Sequence, residues 1–239
     1  MEVRRRLEGE SSGHDPLHAF RVRNLAVRIA SITSADVEIV EATALMHDVG
    51  HESGRDNHVM RGATLAAGIL SKCGFPETKI DPVVVCIEHH HWKPGRAGDP
   101  QRPTAEYQAF ADADRLDALG AIGIARTFAF GGAHGRPIWN PEPEAVPQAP
   151  YGISSIHHFY EKLFHLPGDM YTEPGRCLAA LRVSVIKQFL ETFYTEWESR
   201  DFESIDGGSE ASSVIGTPLG ESDRGLLLRL SDLRLDPSA

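Results

Sequence analysis

An apolar helical stripe of Val37, Val40 and Ala44 runs at unbroken spacing into His47 and Asp48, and the stretch "ALMHDVGHESGRDNH" carries two further histidines, His51 and His58. Buried imidazoles and carboxylates are costly unless something pairs with them. Two other stripes make the same exchange of apolar for polar. His18 lies in line with Val22, Leu25 and Ile29, and Asp114 shares a side with Phe110, Asp117, Ala121 and Ile124. Two imidazoles and two carboxylates, His18, His47, Asp48 and Asp114, form a mixed N/O donor set suited to a divalent metal: Mn, Co, Ni, Fe, Zn or Mg. A bundle core can bring side chains from several helices onto one ion. Such an ion acidifies water and polarises a phosphoryl group, so the chemistry to expect is hydrolysis of a phosphate ester or anhydride. No GxSxG or Walker loop argues for another nucleophile or phosphate cradle.

The elements that must position these groups read as helices, with almost no alternating strand pattern. The first, in "HDPLHAFRVRNLAVRIASI", has Asp15 as its N-cap and Pro16 at its first position. A second begins at Ser34 and stops at Gly50. A third starts near Asp56 or Asn57 and ends at Gly74, with His58, Gly62, Leu65 and Ile69 along one side. A fourth starts at Asp81-Pro82, sets Val83, Cys86, Ile87 and His90 on one face and ends at "KPG". The stretch "TAEYQAFADADRLDALGAIGIARTFAF" reads as one long helix closed by Gly131-Gly132. Gly120 and Gly123 on it are expected to permit close helix packing. Residues 131–152 read as an irregular loop, followed by helices in "SSIHHFYEKLF" and "RCLAALRVSVIKQFLETFYTEWES". The expected organisation is an N-terminal segment 1–13, one helical bundle 14–200, and a flexible tail 201–239 in which "GLLLRLSDL" could dock. The sequence has no internal repeat.

The composition fits one core of good size: 239 residues, 41% hydrophobic and 24% charged. A net charge of −10 argues against a broad nucleic-acid face, which needs clustered Lys and Arg. The "RRR" at 4–6 is expected to be a solvated terminus. No apolar run is long enough for a bilayer and no signal-peptide core follows the N-terminus, so a cytoplasmic location without membrane contact is expected. Cys73, Cys86 and Cys177 have no CxxC spacing and read as buried small hydrophobes in a reducing compartment.

"HAFRV", "LMHDVG" and "DADRLDA", in that order on successive helices, resemble the H…HD…D signature of the HD superfamily of metal-dependent phosphohydrolases. "NHVMRGA", "CIEHHHW" and "SSIHHFYEKLFHL" extend the resemblance over roughly residues 14–198, to a branch of small bacterial-type HD hydrolases of which some act on nucleotides. The resemblance implies an all-α, single-domain helical bundle of the HD-domain/phosphodiesterase-like type. It assigns the metal to His18, His47, Asp48 and Asp114, with Asp112 as the alternative to Asp114 and His14-Asp15 as a decoy pair explained by N-capping. A small phosphorylated substrate, a nucleotide, is the implied partner; a homodimer is left open.

A second polar set surrounds the first. His58 and His90 hold a second metal in some relatives and contact substrate phosphate in others. With Asp48, Asp117 and Arg21 they form the expected catalytic group, Asp117 being either a general acid or base or an ion-pair partner. Arg61, Arg115, His158, Lys162 and Arg182 are the expected substrate-binding residues, because guanidinium and ammonium groups neutralise phosphate. His51 belongs to the same region. His89, His91 and His157 are expected to face elsewhere. The alternatives to hydrolysis are a di-iron oxygenase of the same fold and a metal-retaining, non-catalytic ligand-binding protein.

Overall fold

The computed structural model describes residues 16–50, 58–141 and 153–202. Among these the regular structure is helical: α1 (Pro16–Ser31), α2 (Val37–Met46), α3 (His58–Lys72), α4 (Glu77–Glu88), α5 (Ala105–Asp117), α6 (Gly120–Ala133), α7 (Ser155–Glu161) and α8 (Glu173–Trp197), with short 3₁₀ turns at Pro94–Arg96, Leu163–Asp169 and Arg200–Phe202. The described residues divide into two compact units, one up to Ser184 and one from Val185. Every residue discussed as part of the site lies in the first. The second contains the last part of α8, where the Phe193 and Trp197 rings stack at 5.7 Å.

α5 is the hub of the first unit and touches α1, α2, α4 and α6. Its Ala109, Phe110, Ala113 and Leu116 are all fully buried. Removing a buried phenyl ring such as that of Phe110 costs about 3–5 kcal/mol. α1 turns Ala19, Val22, Ala26 and Ile29 inward at helical spacing, and its alanines allow close approach to α2 and α5. A second apolar cluster joins Ile39 and Ala42 of α2, Ala63, Ala66 and Leu70 of α3, and Val83 and Ile87 of α4.

Several boundaries differ from the sequence reading. α2 is capped by Asp36, not Ser34: its carboxylate accepts from the Glu38 and Ile39 amides at 3.0 and 3.4 Å. α4 begins at Glu77 and carries Pro82 inside it, so the proline that suggested a helix start forgoes one backbone bond. The long helix is broken. Leu119 is extended, Gly120 adopts a φ of +71°, and a Cβ there would lie 3.1 Å from the Arg182 side chain. α8 starts at Glu173, three residues before the expected Arg176. Only Cys86 is buried; Cys73, in the turn after α3, and Cys177, on α8, are exposed. The expected His14-Asp15 cap, His51, residues 142–152 and the tail from 203 lie outside the described residues. Among the described residues no helix is long and apolar enough to cross a membrane.

Candidate metal centre

α1 contributes His18, the end of α2 contributes His47 and Asp48, the end of α4 contributes His90, and α5 contributes Asp114. Hydrogen bonds decide which imidazole nitrogen faces the centre. The His47 Nδ1 lies 2.9 Å from the Ala44 carbonyl and the His90 Nδ1 lies 2.7 Å from the Ile87 carbonyl. A carbonyl only accepts, so Nδ1 carries the proton in both rings. The His18 Nδ1 donates to Asp117 Oδ2 at 2.8 Å. In the neutral rings each Nε2 is left as a lone pair.

Those lone pairs converge. The His18 and His47 Nε2 atoms are 3.2 Å apart. Asp48 Oδ2 is 3.5 Å from the first and 3.3 Å from the second, and Asp114 Oδ1 is 3.4 and 3.8 Å from them. His18, His47 and Asp48 are 1, 2 and 5% exposed. With the imidazoles neutral, these four atoms face one another as acceptors and repel in a low-dielectric interior, and a cation removes that repulsion. Donors held 2.0–2.2 Å from one ion sit about 3–3.5 Å from each other, the spacing seen here. The ligand atoms of His18, His47 and Asp114 all fall within 4.8 Å of one another. The donor set therefore fits a divalent metal. The Asp114 side chain is 25% exposed, which leaves the cluster one approachable side.

A centre so short of positive charge draws protons as it would draw a cation. Burial opposes a charged His47 most strongly, yet Asp48 and Asp114 raise its imidazole to about 9. Burial works against ionised Asp114 as well, but the bond from His18 and the charge of His47 hold its carboxyl far below the usual range. Asp117 is lowered to about 2: burial opposes this, and bonds from His18 and Arg21 outweigh it. Burial, reinforced by His47, keeps His90 below an ordinary histidine. The His90 Nε2 faces Asp48 Oδ1 at 3.8 Å, and the His91 ring stacks on His90 at 5.0 Å instead of facing away.

Around the donors stand the other groups named from the sequence. Arg21 grips Asp117 with two bonds of 2.8 and 3.0 Å, so both belong to the surroundings of His18. Lys162 lies 5.6 Å from the Trp92 ring centroid; burial pulls its ammonium down against the opposing attraction of Asp114. His158 is pushed down to about 4 by burial and by the charges of Lys162 and Arg136. Two expected phosphate binders are engaged by other groups. Arg115 is buried and spent on both Asp99 oxygens, at 3.0 and 2.9 Å, and on the Asp169 carbonyl at 2.7 Å. Arg182 donates to the Leu116 carbonyl, and Arg61 is exposed on α3. His58 opens α3, but its side chain is outside the described set. Asp112 is no alternative to Asp114. Its carboxylate accepts from the amides of Tyr171 and Thr172 at 2.8 Å each and from the Thr172 hydroxyl at 2.6 Å, ahead of α8.

Two neighbours had no assigned role in the sequence. Trp92, whose indole donates to Asp169 at 2.7 Å, ends the quoted "CIEHHHW". Arg126 donates to Asp117 at 3.0 Å. On one continuous helix these two residues would be about 13 Å apart along the axis. The break at Leu119-Gly120 is what returns Arg126 to Asp117.

The HD domain family model matches residues 17–119, the span holding His18, His47, Asp48, His90, Asp114 and Asp117. The chain is 34% identical over 200 residues to YpgQ of Bacillus subtilis, an uncharacterized protein, covering 84% of this chain and 90% of that one. The crystal structure of YpgQ in complex with ADP superposes with a TM-score of 0.65 at 32% identity, over 82% of this chain and 96% of that chain. An HD-superfamily hydrolase from Bacillus thuringiensis superposes with a TM-score of 0.62 at 34% identity, over 82% and 93% of the two chains. With the converging donors on the helices that the family model spans, the chain belongs to the HD superfamily of hydrolases.

Proposed function

We propose that this protein is a metal-dependent phosphohydrolase acting on a small phosphorylated metabolite, a nucleotide, with His18, His47, Asp48 and Asp114 as the metal ligands. The observation that carries this reading is the convergence of acceptor atoms at 3.2–3.8 Å beside a half-buried lysine. When bound there, a divalent ion supplies Lewis acidity, making water acidic and drawing charge from a phosphoryl oxygen. The protein's own groups do the rest. Lys162 donates to phosphoryl oxygens as negative charge grows on them. His90, kept neutral by burial and set beside Asp48, accepts or returns a proton at Nε2. Trp92 and Lys162 form one wall, and the ring offers a flat face to a base. YpgQ, solved with ADP, supports a nucleotide as the ligand class.

The test is a screen of nucleoside mono-, di- and triphosphates with Mn, Co, Ni, Zn, Fe and Mg. Metal-dependent release of phosphate or pyrophosphate is expected, and the product identifies the bond broken. No turnover of any nucleotide with any of these metals would overturn the reading.

A further inference from the structure

The three imidazoles at the centre are oriented by different acceptors. His47 and His90 each give their Nδ1 proton to a backbone carbonyl on their own helix, three residues back. His18 gives its proton to a carboxylate 99 residues away, and that carboxylate is itself fixed. Asp117 Oδ1 accepts from Arg21 Nε at 2.8 Å, and Oδ2 accepts from Arg21 at 3.0 Å and Arg126 at 3.0 Å besides His18. Asp117 is 1% exposed.

We infer that Asp117 is a positioning residue for the metal: it locks His18 in the Nδ1–H form, aims its Nε2 into the centre, and strengthens that nitrogen as a donor. This rests on the metal reading above. A carboxylate accepting an imidazole N–H raises the basicity of the far nitrogen more than a carbonyl does, and it fixes the ring plane. The two guanidiniums have a distinct task. They partner the lone pairs that His18 leaves, and Arg21 holds the carboxylate by two points so that it cannot rotate away. α5 thus supplies both a direct donor, Asp114, and the support for a donor on α1, one helical turn apart. The break at Gly120 brings in Arg126, completing the carboxylate's partners.

The experiment titrates wild type, Asp117→Asn and Asp117→Ala with Mn2+, followed by the loss of the free-ion electron paramagnetic resonance signal, and records 15N spectra of histidine-labelled, Zn2+-loaded protein. Asp117→Ala is expected to bind Mn2+ about 10–100-fold more weakly than wild type. Asp117→Asn keeps an acceptor oxygen but not the charge, and should fall between the two. The Nδ1–H signal of His18 should shift in Asp117→Asn while that of His47, bonded to Ala44, stays in place. Should Asp117→Ala fail to fold, Asp117→Asn decides alone. Wild-type Mn2+ affinity in Asp117→Asn, with an unmoved His18 signal, overturns this inference and leaves the metal reading standing. A wild-type protein that binds no divalent ion overturns both.

Discussion

Two buried polar clusters meet on α5, and their contents are opposite. Arg115, Asp99, Tyr107 and Tyr171 are matched donor to acceptor: the Tyr107 hydroxyl donates to the His89 carbonyl or to Asp99, both at 2.9 Å; the Tyr171 hydroxyl also reaches Asp99; and the Arg115 guanidinium lies over the Tyr171 ring at 5.2 Å. One residue earlier, Asp114 faces two imidazole lone pairs and a second carboxylate across the centre. The first cluster is closed and wants nothing. The second sets acceptor against acceptor, an arrangement that positive charge stabilises. Buried polarity alone therefore does not mark a site; a mismatch between donors and acceptors does.

The largest effect should come from breaking the mismatched cluster. Asp48→Ala is expected to lose bound metal and to bring nucleotide hydrolysis down to background, a fall of more than about a thousandfold or about 4 kcal/mol in the barrier. Metal analysis of the purified protein reads the first, and retained metal would remove Asp48 from the ligand set. Added metal should raise the melting temperature of wild type and not of this variant. The matched cluster should behave the other way. Arg115→Ala leaves Asp99 buried without its main cation and should cost about 3–5 kcal/mol of stability in a denaturant titration. Its metal content at temperatures where it remains folded should equal that of wild type. Loss of metal there would mean that the two clusters are one.

The sequence shows the mismatched cluster better than the matched one, for a physical reason. His18, His47 and Asp114 stand where helical spacing calls for an apolar residue, so periodicity alone flags them. It also brings His90 to the same side as Cys86 and Ile87. The matched cluster is built from Asp99, Asp169 and Tyr171, on loops and 3₁₀ turns that have no period, and so Arg115 looked free to bind phosphate. The helices are legible too, but several boundaries are not, and two of them have clear causes. Pro82 resembles a helix start and is the sixth residue of α4. Gly120 resembles a packing glycine inside a helix and in fact opens the second of two, at positive φ and with Arg182 packed where a side chain would go. Arg126 was invisible for the same reason, because its partnership with Asp117 depends on that break.

Lys162, close enough to Asp114 to feel its charge, separates substrate charge from metal charge. An ammonium donates to phosphoryl oxygens and cannot ligate a cation. Lys162→Ala should therefore keep the wild-type Mn2+ affinity and lose about tenfold to a hundredfold in kcat/KM on the best nucleotide, about 1.5–3 kcal/mol. Arg61→Ala, on an exposed stretch of α3, should change kcat/KM by less than about twofold. If the two variants are equally active, the cationic wall lies elsewhere.

The smallest effect tests the wall's electrostatics through stability. Burial, then Lys162 and Arg136, push His158 down to about 4, so this imidazole is neutral in the folded protein while the unfolded chain binds a proton at the ordinary histidine value, about 6.5. Because folding lowers this pKa, the contribution of His158 is fully present above about pH 6.5 and is lost as pH falls toward 4. Between about pH 7 and about pH 5.5 the loss comes to about 1 kcal/mol. His47 titrates with the opposite sign, its folded value being raised, so the raw stability of wild type mixes the two. The wild-type-minus-variant difference isolates one of them. In His158→Gln the side chain cannot take the proton, so the variant should lose about 1 kcal/mol less than wild type on acidification, measured by urea unfolding at both pH values. A difference that stays flat with pH would mean that His158 is solvated, and that Lys162 and Arg136 do not share its pocket.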